Sequence, residues 1–136
     1  MASYPALLDG APGAIGVSFP DCPGCVAMGA DTPEAFANAI EALAEWIHDA
    51  RAAGRADPDP RDALTLRGDP DVASTLAEGG VFILVPLLIE SGRSVKANIS
   101  LDRGLLDAID EAAKRVGVTR SGFLASAARD KIAEMA

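Results

Sequence analysis

Aromatic residues are scarce: four Phe, one Trp and one Tyr among 136 residues. A core must therefore be built mainly from aliphatic side chains, which the 49% apolar content supplies. That content also excludes a disordered chain, and the length allows one domain or two small ones. Long apolar runs are missing. The longest candidate, Val81 to Ile89, is nine residues long and carries Pro86. A membrane-spanning helix needs roughly 18. The first residues show no basic stretch leading into an apolar one, so no signal peptide and a cytoplasmic location are expected. Cysteine and histidine are nearly absent, at two and one. In that compartment the cysteines are expected as thiols rather than a disulfide. Cations are few and unevenly placed. Residues 1–92 hold 14 Asp or Glu against 4 Arg, a net of −10, while residues 93–136 hold 6 acids against 8 Lys or Arg, a net of +2. An acidic body followed by a mildly basic tail suggests two surfaces for two kinds of partner.

What is present divides the same way. Tyr4 to Leu8 is apolar and followed by Asp9-Gly10, with Ala11 to Gly13 continuing a turn. Ile15 to Phe19 alternates large and small residues at strand period, so the two segments read as a β-hairpin. Pro20 to Gly24 forces a loop, and Cys25 to Met28 reads as a third strand. Thr32-Pro33-Glu34 opens a helix, with Thr32 as its cap. Phe36, Ile40, Leu43 and Ile47 form its apolar stripe, widened by Ala39 and Trp46. Asp57-Pro58, Asp59-Pro60 and Asp69-Pro70 mark residues 55–71 as an ordered or semi-ordered loop. A short helix over Asp71 to Glu78 and a buried strand over Val81 to Ile89 follow, with Pro86 requiring an edge or a bulge. The expectation is an α+β unit of order β-β-β-α-β over residues 1–92, with a junction at Ser91-Gly92-Arg93.

In residues 93–136, Val95, Ala97, Ile99 and Leu101 alternate with Ser94, Lys96, Asn98 and Ser100, as in a strand with one apolar face. Asp102 starts a helix that carries Leu105, Leu106, Ile109, Ala113 and Val116 and stops at Gly117. Thr119 caps a second. This core is too small to stand comfortably alone, and a lone strand cannot satisfy its own backbone groups. Two copies pairing their strands antiparallel would solve both problems.

That pattern, from Val95-Lys96-Ala97-Asn98-Ile99-Ser100-Leu101 through Leu105-Leu106-Asp107-Ala108-Ile109-Asp110 and Gly117 to Thr119-Arg120-Ser121, resembles a ribbon-helix-helix DNA-binding domain. The resemblance implies that Lys96, Asn98 and Ser100 meet base edges in the major groove. It also implies that the start of the second helix, at Thr119, Arg120 and Ser121, clamps a phosphate. A bare dimerisation module and a helix-turn-helix remain as alternatives for this segment.

A second resemblance rests on Gly16-Val17-Ser18-Phe19-Pro20-Asp21-Cys22-Pro23-Gly24-Cys25, Asp31-Thr32-Pro33-Glu34-Ala35 and Ala39. It is similar to the HicB antitoxins, whose amino-terminal domain is a reduced RNase H-like α+β fold. The resemblance implies a protein that silences HicA, a small basic RNA-cleaving toxin, and represses its own operon. Its implied partners are a HicA-type toxin, operator DNA and at least one further copy of itself, with no membrane. The charge asymmetry agrees independently, because an acidic domain competes for a surface built to hold RNA.

Catalytic readings are weaker. A nuclease needs clustered carboxylates around divalent metal, whereas Asp9 and Asp21 fall in turns and Glu41 and Glu45 in a helical i, i+4 pair. Cys22-Pro23-Gly24-Cys25 precedes a strand, so no helix dipole activates it, and only His48 could add a zinc ligand. No enzyme, cofactor or metal is expected. The alternative from another class is a stand-alone regulator whose amino-terminal domain senses a small ligand.

Overall fold

The structure, a computed structural model, describes residues 2–90 and 92–135. Ser91, in the expected junction, lies outside the described residues. The hairpin forms with longer arms than the turn signals suggest. Strand β1 runs Ser3–Ala11 and β2 runs Ala14–Ser18, with Ala11 opposite Ala14. Asp9-Gly10 is therefore strand, and only Pro12-Gly13 makes the turn. Strand β3, Val26–Gly29, adds to β2, and β4, Val81–Pro86, adds antiparallel to the other side of β1. The sheet order is β3-β2-β1-β4, so Pro86 sits on an edge strand as its missing N–H requires. Strand β4 is not buried as expected: Val81 and Leu84 are exposed, and the strand stops at Pro86.

Helix α1, Thr32–Ala52, covers one sheet face. Asp31, not Thr32, is its cap, accepting from the Glu34 amide at 2.9 Å. The buried line is Ala35, Ala39, Leu43, Ile47 and Ala50, while Phe36, Ile40 and Trp46 are only partly buried. The stripe is thus rotated toward alanines, because helix and sheet touch closely. A Cβ on Gly29 would lie 2.3 Å from the Ala35 nitrogen, so only glycine fits there. Against this line pack Tyr4, Ala6, Ile15, Val17, Ala27 and Val85 from the sheet.

Residues 55–71, expected as an ordered or semi-ordered loop, are ordered and partly helical. They hold helix α2, Ala63–Leu66, capped by Asp62, and lead into α3, Pro70–Ala77, capped by Asp69. Asp69-Pro70 is a helix start rather than a loop signal. Proline holds the preceding residue extended, as an N-cap must be, and itself fits the first helical turn. Leu66 and Val72 pack on Leu7 from the outer sheet face, with Leu76 and Phe82 beside them.

The chain divides into two units, the first ending at Ile89 and the second spanning Glu90 to Met135. In the second, α4 runs Arg103–Val116 from an Asp102 cap and ends at Gly117, whose φ of 76° is the left-handed stop expected of glycine. Helix α5, Arg120–Glu134, starts at Thr119, whose hydroxyl accepts from the Gly122 amide at 3.0 Å. Residues 93–101 form neither strand nor helix in the single chain. The strand expected over Ser94 to Leu101 is thus not formed within the chain, where an extended segment with no strand of its own unit beside it leaves its backbone groups to water. Among the described residues, no helix is long and apolar enough to cross a membrane.

Candidate functional site

In the second unit, all three residues expected to face bases, Lys96, Asn98 and Ser100, are exposed. So are the apolar residues that alternate with them: Val95 is 89% exposed and Ile99 65%. In α4 only Ile109 and Ala113 are buried, and in α5 no residue is. Leu105, Val116 and Val118 are bare as well. These side chains leave the unit with uncovered apolar surface.

The residues expected at a phosphate are differently engaged. Thr119 is occupied as the α5 cap. The Arg120 guanidinium donates to both carboxylate oxygens of Asp110 at 2.8 Å, and that pairing holds the Asp110 carboxyl below its usual range. Arg120 is therefore a clasp between α4 and α5. Ser121 is exposed. Arg129 pairs with Glu90, a contact with no local signal in the sequence.

In the first unit, the Pro20 to Gly24 loop is pinned from two sides. Arg61 grips Asp21 through its side chain at 2.6 Å and its backbone amide at 3.0 Å. The Trp46 indole donates to the Pro23 carbonyl at 3.1 Å. The loop at 55–71 is further tied by Arg51 to Asp57 and by the Tyr4 hydroxyl to the Pro58 carbonyl. None of these pairings is predictable from spacing, since Arg61 and Asp21 are 40 positions apart.

The catalytic alternatives gain no geometry. Cys22 and Cys25 are buried free thiols, and burial pushes them up to about 12 and about 11. They are held protonated and unreactive at neutral pH. His48 is exposed. Asp9 lies on the outer sheet face, Glu41 and Glu45 on exposed positions of the helix that covers the inner one, and Asp21 is bound by Arg61. No cluster of metal-binding side chains forms among the described residues.

Known proteins agree on the family. A family model for the HicB_like antitoxin of bacterial toxin-antitoxin system matches residues 4–128. The Burkholderia Pseudomallei antitoxin HicB is 28% identical, with 94% of this chain and 96% of that chain covered, at a TM-score of 0.56. The antitoxin HicB3 is 32% identical, with 96% and 98% covered, at a TM-score of 0.53. A chain of the HicA3 and HicB3 toxin-antitoxin complex is 28% identical, with 62% of this chain and 96% of that one covered, at a TM-score of 0.51. No curated protein matches.

Proposed function

Because this chain belongs to the HicB-like antitoxin family, we propose that it binds and neutralises a HicA-type, mRNA-cleaving toxin and represses its own operon by binding operator DNA. The observation that carries the reading is a family match running through both units, from residue 4 to residue 128. Membership of an antitoxin family points to a regulator rather than a catalyst.

The division of labour follows the charge. The acidic residues 1–92, read as a reduced RNase H-like domain, occupy the cationic surface that the toxin needs for RNA. Residues 93–136, read as a ribbon-helix-helix domain, pair with a second copy. Strand pairing would take up the backbone groups of 93–101 and bury Val95, Ile99 and Leu101 while leaving Lys96, Asn98 and Ser100 outward. The paired ribbon would then enter the major groove of a two-fold operator, with the start of α5 near a phosphate.

Co-expression with a HicA-type toxin tests the first half. A stable complex and restored growth of toxin-producing cells are expected. Toxicity unchanged, with no co-purification of the full chain, would refute it.

A further inference from the structure

The outer sheet face is covered on one half only. Helices α2 and α3 supply Leu66, Val72 and Leu76 over Leu7 and Phe82, where β1 meets β4. Where β2 meets β3, Val26 is 64% exposed and Met28 62%. The register places them. Leu7, Ser18 and Val26 form one cross-strand row, and Asp9, Gly16 and Met28 form the next. Ala27, between the two exposed residues, faces inward and is buried.

Neither side chain can turn into the core. A slip of one residue would eject Ala27, and the Asn38 side chain donates to the Met28 carbonyl at 2.7 Å, fixing the strand. Glycine at 16 keeps the surface low within the second row, with the Asp9 carboxylate leaning over it: a Cβ there would lie 3.2 Å from Asp9 Oδ1. The strip continues into a cavity of about 180 Å³ lined by Leu7, Ser18 and Val72 and rimmed by Asp69 and Asp71.

Charge selects the occupant. Asp9 and Asp71 form no ion pair among the described residues. Of the unit's four arginines, Arg51 is held by Asp57, Arg61 by Asp21 and Asp69, and Arg55 stacks over Trp46, leaving Arg67 at the end of α2. Apolar anchors ringed by acids complement a cationic protein. They repel nucleic acid and anionic lipid, and a second copy would set like charges together.

We infer that this open β2–β3 face is where the toxin docks, with Val26 and Met28 as anchors and Asp9 and Asp71 opposing the cations that hold RNA. The inference rests on the antitoxin reading. Its test uses the full-length chain and a co-expressed HicA-type toxin, with affinity measured by calorimetry. Val26→Asp with Met28→Asp should weaken binding at least about 100-fold. Asp9→Lys with Asp71→Lys should weaken it about tenfold and flatten its salt dependence. Leu84→Asp, an exposed position over β4, should leave it unchanged. The charge-reversal pair reads out the same face should the first pair disturb folding, which circular dichroism reports. Wild-type affinity in both pairs overturns this docking face while leaving the antitoxin reading intact. Variants that break up the toxin-free assembly but keep toxin affinity assign the face to another copy and overturn it too. A wild-type chain that binds no toxin overturns both.

Discussion

If two copies pair as proposed, truncating Ile99 to alanine tests the pairing that operator binding would need. In the single chain Ile99 is 65% exposed, so about two-thirds of its side chain remains to be buried by a partner. Full burial of an isoleucine is worth roughly 1.5–3 kcal/mol, so the remaining share is worth about 1–2 kcal/mol per copy. Two-fold pairing counts the loss twice, giving about 2–4 kcal/mol per dimer. At about 1.4 kcal/mol per factor of ten, Ile99→Ala should raise the dimer dissociation constant about 30- to 700-fold. Sedimentation over a dilution series measures it, with Lys96→Ala as a control that leaves the constant alone. A constant within about threefold of wild type, with helicity retained, would refute the interlocked ribbon.

Three further outcomes are expected. Lys96→Ala with Asn98→Ala should abolish operator binding in a mobility-shift assay while the dimer persists, and retained binding would move the reader elsewhere. Gly29→Ala should destabilise the first unit by about 1–3 kcal/mol or more, because its Cβ meets Ala35 backbone atoms at 2.3 and 2.7 Å; an unchanged urea midpoint would contradict the close helix–sheet contact. The thiols of Cys22 and Cys25 ionise near the ordinary 9.0 when unfolded but only at about 12 and about 11 when folded. Above pH 9 the unfolded chain thus loses protons the folded chain keeps, and stability falls as pH rises toward those values. Urea midpoints at pH 8 and 10.5 should show that fall, and Cys22→Ala with Cys25→Ala should make it shallower.

What was legible in the sequence was what local chemistry decides. Alternation at Ile15 and Val17, the glycine stop at 117 and the caps at Asp102 and Thr119 all appear where the pattern puts them. What was hidden was either a local signal with two uses or a partner distant in the chain. The Asp-Pro pairs look like breakers until Asp69 is seen capping α3, and Asp21 looks like a turn residue until Arg61 reaches it. The stripe of α1 was displaced for the same kind of reason: large residues define a helix face in isolation, but the glycine at 29 draws alanines to the contact. Val26 and Met28 read as ordinary strand residues, because one-sided cover by α2 and α3 is not a property of β3's own sequence.

The segment at 93–101 is the case where pattern and single-chain structure differ most, and both follow from one requirement. An isolated strand leaves its amides and carbonyls to water and gains nothing from its apolar face. The proposed second copy would supply hydrogen-bond partners and cover together, so ordering and association would be a single event. On the proposed reading, operator binding would require two chains to meet before any base is read, and occupancy would rise more steeply than the first power of chain concentration. A drop in free antitoxin would therefore release the operator sooner than simple titration of a preformed reader. In that proposed arrangement the exposed residues Val95, Ile99 and Leu101 would be as much a part of the regulatory response as Lys96 and Asn98.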